Sequence, residues 1–165
     1  MMRKKIQQLL VDLRLKGMGQ TLDQELDRAD KEGTSVSEVI HRLLMAEHAY
    51  RQIRSLEYRI RSAKMPWDWT LKTFPFDRQP GVRKHQIQSL AQLSFVEKAE
   101  NIILIGEPGT GKTGLGIGLL RQALVEGYRG RFFNAQDLLD ELYASLADRA
   151  TPKLIKQLFN YDLLL

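Results

Sequence analysis

The residues best suited to chemistry form the stretch GEPGTGKT at positions 106–113, which matches the phosphate-binding pattern G-x-x-x-x-G-K-[ST] at every fixed position. Its glycines let the backbone curl until successive N–H groups converge on a phosphate, and the positive end of a following helix favours that anion. The lysine is expected to reach the β and γ phosphate oxygens, and the final threonine hydroxyl to coordinate Mg²⁺. The alternative is a glycine-rich turn with an incidental lysine. We predict a nucleotide site composed of Gly106, Glu107, Pro108, Gly109, Thr110, Gly111, Lys112 and Thr113, with Thr113 as the metal ligand.

The segments around this stretch alternate in a pattern typical of an α/β domain with parallel strands. NIILIG at 101–106 predicts a fully buried strand that leads in, and GKTGLGIGLLRQALVEG at 111–127 predicts a helix that leads out. The elements predicted to follow are, in chain order, strand 131–135, helix 136–148, helix 151–159 with Thr151 as N-cap and Pro152 at its first position, and strand 161–165.

Three glycines lie inside the helix that follows the phosphate-binding pattern, at Gly114, Gly116 and Gly118. Each costs up to about 1 kcal/mol relative to alanine in a helix interior. The functional interpretation is close packing of the helix on the sheet, or close approach of the backbone to the nucleotide. The alternative is a helix no longer under full selection for stability, and the sequence leaves both open.

The N-terminal region is predicted to be helical. Apolar residues with the i, i+3, i+4, i+7 spacing of an amphipathic helix are Ile6, Leu9, Leu10 and Leu13. Gly17 and Gly19 are expected to end this first helix. A second, acidic helix is expected between Thr21 as N-cap and Gly33 as stop.

A third helix carries a basic stripe. It opens at the capping-box spacing SVSE, residues 35–38, and is expected to run to about Lys64. Residues 1–64 hold 13 lysines and arginines against 9 acidic residues. The stripe is suited to a DNA phosphate backbone or an acidic partner helix, and the alternative is an ordinary solvated face. The candidate DNA-binding residues are Arg51, Arg54, Arg59, Arg61 and Lys64.

The stretch KMPWDWTLKTFPFDRQPGVRK breaks all periodicity and contains three of the chain's five prolines, so it indicates a linker. We therefore predict a helical N-terminal domain at 1–64, a linker at 65–83, and the first part of a P-loop domain at 84–165 that begins with a short helix near 84–93. The aromatic residues of the linker indicate that the linker packs, either over the seam between domains or on a base. These residues are Trp67, Trp69, Phe74 and Phe76.

Composition limits the class of protein. The 165 residues are 43% hydrophobic and 27% charged, which is globular rather than disordered, and the net charge of +5 favours an anionic partner. Without cysteine the chain has no disulfides or thiolate metal sites, so nothing requires an oxidising compartment. No apolar run approaches the roughly 20 residues of a membrane span. We expect a cytoplasmic protein without a membrane partner.

The order of these stretches resembles a known family. VDLRLKGMGQTLDQEL, AEHAYRQIRSLEYRIRSAK, TFPFD, NIILIGEPGTGKT, GYRGRFFNAQDLLDEL and KLIKQLFNYDLLL are similar, in this order, to IstB-like ATP-binding proteins of bacterial insertion sequences. The resemblance implies an AAA+ ATPase with a three-layer α/β domain that binds ATP and Mg²⁺ at 106–113. It also implies a helper of transposition that selects the target and stimulates the transposase. The implied partners are double-stranded DNA, the transposase of the same element and, at full length, further copies of the chain.

The chain departs from the family pattern in two places. GLGIG at 114–118 stands where relatives carry alanine and bulkier residues. YDLLL resembles the opening of the Walker B strand, but the acidic pair expected after it is absent before Leu165. Because such carboxylates help to hold Mg²⁺ and orient the attacking water, we assign no catalytic residue and expect a fragment that binds nucleotide but hydrolyses it poorly. The sheet is also expected to have a gap between the P-loop strand and the Walker B strand.

Two other functions remain open. One is a loader of a replicative helicase, related to DnaC-type proteins, which would engage the helicase through the N-terminal region. The other is a non-catalytic adaptor that binds DNA or a protein and carries a vestigial P-loop. Nucleotide binding that Lys112→Ala abolishes would favour the ATP-binding helper, whereas DNA binding indifferent to that substitution would favour the adaptor.

Overall fold

The computed structural model describes residues 2–165, and the chain divides into two compact units, Met1–Glu57 and Tyr58–Leu165. This division falls within the third helix, whereas the sequence placed the end of the N-terminal domain at residue 64. The limits predicted from sequence concern domains that fold independently, which this division does not test, so they stay a prediction.

The first unit is helical. Helix α1 covers Met2–Asp12, α2 covers Lys16–Glu32, and α3 covers Val36–Ser62, of which the part up to Glu57 belongs to this unit. The apolar stripes of the three helices meet in one buried cluster, as amphipathic helices require. The buried members of this cluster are Leu10, Leu22, Val39 and Leu43.

The predicted roles of Gly17 and Gly19 as the end of the first helix are wrong, and so is the predicted N-cap at Thr21. Both glycines lie inside α2, and the Thr21 hydroxyl donates back to the Gly17 carbonyl at 3.2 Å. A Cβ on Gly17 would lie 2.6 Å from the carbonyl oxygen of Ala46 on α3. Gly17 therefore permits two helix backbones to approach each other, a tertiary reason that the local sequence does not reveal.

Glu47 explains why α2 begins where it does. This residue of α3 is only 5% exposed, and its Oε2 accepts from the backbone N–H groups of Gly17 at 2.7 Å and Met18 at 3.2 Å. Its Oε1 accepts from Arg51 Nε at 2.7 Å. Burial alone would raise the pKa of Glu47, but the hydrogen bonds from Arg51, Met18 and Gly17 together hold that pKa below its usual value. A side chain from another helix thus caps the start of α2.

The other two predicted helix signals in this unit are confirmed. Gly33 ends α2 in the left-handed conformation, with φ of 63°, and its N–H donates to the Ala29 carbonyl at 2.9 Å. The Ser35 hydroxyl accepts from the Glu38 N–H at 3.3 Å at the start of α3. The reciprocal half of the capping box does not form, because the Glu38 carboxylate bonds to Arg42 instead.

The second unit contains the remaining elements. After the last turn of α3 come a 3-10 turn, four helices of the P-loop region, a final helix and two short strands. In chain order they are the turn Phe76–Arg78, α4 Lys84–Leu90, α5 Ser94–Glu97, α6 Lys112–Val125, β1 Gly130–Arg131, α7 Ala135–Ala147, α8 Thr151–Leu158 and β2 Leu163–Leu164. Within residues 2–165, none of the helices is both long and apolar enough to cross a bilayer.

The predicted parallel pairing is confirmed for two strands. In β1 and β2, Gly130 pairs with Leu163 and Arg131 pairs with Leu164 in a parallel register. The ladder continues past the strand ends, because the Leu165 N–H donates to the Arg131 carbonyl at 2.9 Å. The strands are shorter than the predicted 131–135 and 161–165, and the three-layer arrangement stays a prediction.

The fully buried strand predicted at 101–106 is wrong. These residues have no strand assignment and form no ladder hydrogen bonds with other described residues. Ile103 and Ile105 are 81% and 92% exposed, while Ile102 and Leu104 pack inward against separate apolar clusters. The segment keeps the two-residue alternation of a strand but lacks a neighbour, and a strand is stable only when its backbone groups are paired.

Helix limits otherwise differ from prediction by a few residues. Thr151 is the first residue of α8 rather than its N-cap, a position held by Ala150, and the Thr151 hydroxyl instead contacts the Ser145 hydroxyl at 3.0 Å. Pro152 is the second residue of α8 rather than the predicted first, and it still lies in the first turn, where proline is tolerated. The centre of the unit is α6, whose Ile117, Leu120 and Leu124 side chains are fully buried.

Candidate nucleotide site

The loop at residues 106–111 joins the extended segment to the start of α6. Gly109 and Gly111 adopt left-handed φ angles of 79° and 81°, a conformation that glycine reaches without steric cost. A Cβ on Gly111 would also lie 2.8 Å from the Phe74 ring. The conformation of this loop therefore requires glycine at positions 109 and 111, and the packing of Phe74 requires it at 111 as well.

Lys112 folds back over the loop that precedes it. Its Nζ donates to the carbonyl oxygens of Gly106 and Glu107, both at 2.8 Å, while the Thr110 hydroxyl donates to the Glu107 carbonyl at 2.8 Å. These bonds place the ammonium group at the concave side of the loop. A phosphate that enters there would take the place of the two neutral carbonyl acceptors of Lys112 Nζ. A hydrogen bond to a charged acceptor is roughly twice as strong as one between neutral groups.

The first turn of α6 offers donors to an anion. The N–H groups of Lys112 and Thr113 have no backbone acceptor among residues 2–165, as expected at a helix N-terminus. The Thr113 side chain is exposed, and its hydroxyl forms no hydrogen bond within the described chain. Residues 2–165 hold no group of three or more His, Cys, Asp or Glu side chains placed to share a metal ion. This donor set fits Mg²⁺ bound mainly by phosphate oxygens and water, with Thr113 as one protein ligand.

A cavity of about 560 Å³ adjoins the loop. Thr110 and Lys112 line the end of the cavity next to the loop, and apolar side chains line the opposite wall. Ligand cavities of about 300–1,000 Å³ with an apolar lining and a few polar groups are typical of small-molecule sites. The apolar wall is formed by Val82, Ile87, Leu90, Ile102 and Leu104. The sequence did not point to this wall, because its members come from two stretches, residues 82–90 and 102–104, which α5 separates along the chain.

The glycines inside α6 make room for close neighbours. A Cβ on Gly114 would lie 2.5 Å from the Trp69 ring, and one on Gly118 would lie 2.6 Å from Leu71. A Cβ on Gly116 would lie 2.6 Å from a methyl group of Leu165. Of the interpretations that the sequence left open, these contacts support close packing, and they come from the linker as well as from the C-terminal strand.

The aromatic linker therefore packs on α6 and on the loop. Trp69 lies against Gly114, and Phe74, which is 5% exposed, lies against Gly111. An ion pair between Asp68 and Arg121 fastens the same segment to α6. Sequence reasoning identified the aromatic residues as packing groups but missed their partners, since nothing in a linear pattern couples an aromatic residue to a glycine about 40 positions away.

The five candidate DNA-binding residues are divided between the two units, with Arg51 and Arg54 in the first and the other three in the second. Arg51 pairs with Glu47 at 2.7 Å, and Arg54 pairs with Glu57 at 2.8 Å, so both charges are neutralised locally. Arg59 Nε donates to the Leu124 carbonyl at 2.9 Å. The remaining two, Arg61 and Lys64, are exposed. DNA binding by these five residues stays a prediction.

Comparison with known proteins identifies similar sequences. The family model described as IstB-like ATP binding protein matches residues 8–165. A protein of Geobacillus stearothermophilus, named for ATP binding in insertion sequence IS5376, is 36% identical over 141 residues, which are 86% of this chain and 56% of that protein. A protein of Pseudomonas aeruginosa, named for ATP binding in insertion sequence IS21, is 33% identical over 150 residues, or 91% of this chain and 57% of that protein.

A third relative has a more similar length. It is a protein of Bacteroides fragilis, named for ATP binding in an IS21-like insertion sequence, and it is 27% identical over 162 residues, which are 98% of this chain and 81% of that protein. The chain thus spans 56% and 57% of the length of the first two relatives and most of the third.

Proposed function

Because the chain belongs to the IstB-like ATP-binding protein family, we propose that residues 106–113 hold the phosphates of ATP and that the adjoining cavity holds its nucleoside. One observation carries this proposal. Two left-handed glycines place a loop at the N-terminus of α6 beside a cavity of about 560 Å³. That combination supplies a cradle for phosphates next to an apolar wall for a base.

The residues of the loop have separate tasks in this proposal. Gly109 and Gly111 shape the backbone, the N–H groups of Lys112 and Thr113 meet the phosphate oxygens, and the Lys112 ammonium group leaves its carbonyl acceptors to neutralise charge. The Thr113 hydroxyl would be the protein ligand of a Mg²⁺ ion that arrives with the phosphates. That ion would supply neutralisation of the phosphate charge.

Binding and hydrolysis of a nucleotide make different demands on a protein. Binding requires only the loop and cavity, whereas acceleration requires groups placed around the transition state. We therefore propose nucleotide binding and assign no catalytic residue.

In its biological role the protein is proposed to assist transposition. Its relatives carry names that assign them to insertion sequences, and the net charge of +5 favours association with DNA. The proposed partners are double-stranded DNA, the transposase of the same element and further copies of the chain.

Replacing the loop lysine tests the proposal. We expect Lys112→Ala to weaken binding of ATP with Mg²⁺ by at least tenfold in calorimetric titration, because the charge over the loop is lost. The matched control is Lys98→Ala, which removes an exposed lysine that is outside the loop and the cavity. Equal affinity of the wild type and the Lys112→Ala variant would overturn the proposal.

A further inference from the structure

A second cavity of the Tyr58–Leu165 unit lies away from the loop at 106–113. It has a volume of about 420 Å³, and it is lined by three arginines, two tyrosines and amide side chains, none of which lines the cavity beside the loop. None of its described lining residues is acidic. The lining residues used below are Tyr58, Arg59, Arg129, Arg131, Gln157 and Tyr161.

Arg131 is the central cation of this cavity. Its guanidinium lies over the Phe133 ring at 4.7 Å and near the Tyr161 ring at 5.9 Å, and one Nη donates to the Tyr161 hydroxyl at 3.2 Å. Its Nε is buried and has no hydrogen-bond partner in the part of the chain that the structure describes. A buried donor without an acceptor is costly, so it points to an acceptor that the chain itself does not supply. Stacking between rings also fixes the planar fork before any ligand arrives.

The neighbouring Arg129 has a structural task. Its side chain donates to both carboxylate oxygens of Asp162, at 3.0 and 3.2 Å, and its backbone N–H donates to the same carboxylate at 2.7 Å. The side-chain hydrogen bond from Arg129 is the main cause that lowers the pKa of Asp162. This pair joins the starts of β1 and β2 and so aligns Arg131 beside Tyr161. It leaves Arg131 without a carboxylate to neutralise it among residues 2–165.

Further donors surround this cation. Arg59 brings a second guanidinium to the cavity while its Nε donates to the Leu124 carbonyl. Tyr58 is 69% exposed at the rim, and Gln157 on α8 is also exposed. Guanidinium, phenol and amide groups are the side chains that commonly contact phosphate and sugar in nucleic-acid complexes. The exposed rim suits a chain that passes over the cavity rather than a small molecule enclosed by it.

We propose that the cavity lined by Arg59, Arg131 and Tyr161 binds a phosphodiester group of duplex DNA. This inference deepens the proposed function, because it locates the DNA contact in the Tyr58–Leu165 unit and shares only Arg59 with the stripe predicted from sequence. The Arg131 guanidinium donates to the phosphate oxygens, and the rim residues contact the adjoining backbone. The site is distinct from the loop at 106–113, so nucleotide and DNA occupy different cavities.

The first test removes the central cation from the whole chain. Binding of a fluorescently labelled duplex of mixed sequence is measured by anisotropy across a salt series. Arg131→Gln is expected to weaken binding about tenfold and to reduce the salt dependence by about one counterion, as expected for one lost phosphate contact. Arg149→Gln is the matched control, since it removes an exposed arginine that does not line the cavity. An equal loss of DNA affinity in both variants would overturn the proposed DNA site.

A second variant covers the case in which Arg131→Gln disturbs the fold. Gln157→Glu adds a negative charge at the exposed rim with almost no change of shape, and repulsion should weaken DNA binding several-fold. Gln92→Glu adds the same charge at an exposed position outside the cavity and should have little effect. Unchanged DNA affinity in Gln157→Glu would contradict the proposal.

Nucleotide binding, measured in the same variants, separates this inference from the proposed function. ATP affinity should remain at the wild-type level in Arg131→Gln and Gln157→Glu. Loss of ATP affinity with intact DNA binding would show that the cavity serves a nucleotide phosphate and would overturn the DNA site. Binding of inorganic phosphate to this cavity, in a protein that binds no DNA at the same ionic strength, would likewise overturn the DNA site. Failure of Lys112→Ala to affect ATP would instead count against the proposed function alone.

Discussion

Gly111 carries two constraints at the residue scale. Its φ of 81° lies in the left-handed region, and the space where a Cβ would stand is filled by the Phe74 ring at 2.8 Å. Either constraint alone disfavours other residues, and together they tie the shape of the phosphate loop to the aromatic linker.

Gly111→Ala is therefore expected to reduce both stability and nucleotide affinity. Strain of this kind costs about 1–3 kcal/mol, and the displaced loop should bind ATP at least several-fold more weakly. Gly19→Ala is the control, because its Cβ would have no neighbour closer than 4.0 Å and its φ is not positive. Thermal unfolding and calorimetric titration of both variants give the comparison, and an unaffected Gly111→Ala variant would contradict the assigned strain.

Glu47 makes a pH-dependent contribution to stability at the same scale. Its folded pKa lies below its usual value, so its hydrogen bonds stabilise the folded chain above the ordinary pKa of glutamate. The contribution is lost as the pH falls from that range through the lower folded pKa. Protonation then leaves Arg51 and the N–H groups of Gly17 and Met18 with a weaker acceptor.

Glu47→Gln should lower the free energy of unfolding by about 1–3 kcal/mol near neutral pH, since a charged acceptor at a buried helix start is replaced by a neutral amide. The difference from wild type should shrink in acid, below the ordinary glutamate pKa. Urea unfolding at several pH values measures it. Glu57→Gln, at a residue whose side chain is 49% exposed, should show little difference at any pH. A Glu47→Gln difference that did not vary with pH would refute the assigned role of the charge.

At the element scale, the glycines of α6 allow neighbouring side chains to pack directly against the helix backbone. Gly114 faces the Trp69 ring and Gly116 faces a methyl group of Leu165, with added-Cβ distances of 2.5 and 2.6 Å. A ring fixed in a linker cannot yield as easily as the end of a leucine side chain. The same substitution should therefore have different consequences at the two positions.

Gly114→Ala is expected to displace Trp69 from α6, whereas Gly116→Ala is expected to leave it in place. The measurement is tryptophan emission in a Trp67→Phe background, so that Trp69 alone reports. Gly114→Ala should shift the emission to longer wavelength as the ring moves into water. Alanine also raises helix propensity by up to about 1 kcal/mol at either position, so stability alone would not separate them. Identical spectra for the two variants would contradict the packing described here.

Helices were predictable where the signal was local. Gly33 and Ser35 mark helix ends through their own backbone and hydroxyl group, and the sequence located both. Gly17 could not be interpreted in this way, because its neighbour is the backbone of α3 and the cap of α2 comes from Glu47, 30 positions away. Residues 101–106 show the converse case, since a strand-like pattern forms no strand without a paired neighbour.

At the scale of the whole molecule, the glycine conformations of the loop at 106–111 were predictable from sequence and the surroundings of the loop were not. A fixed spacing of glycines and lysine identifies the loop because the chemistry depends on consecutive backbone groups. The cavity wall and the Arg131 cluster depend on contacts between distant segments. In the predicted basic stripe, Arg51 forms a local ion pair with Glu47 and Arg54 forms one with Glu57, and DNA binding by the stripe stays a prediction.

Hydrogen exchange in the presence and absence of ATP with Mg²⁺ tests the central claim over the whole chain at once. A ligand that occupies the loop and its cavity should slow amide exchange at residues 106–115 and at residues 79–90, which include one side of the cavity lining. Lys112→Ala should remove that protection at the same ATP concentration. Protection confined to other parts of the chain, or no protection at saturating ATP, would contradict the account of this protein as one that binds ATP through this loop.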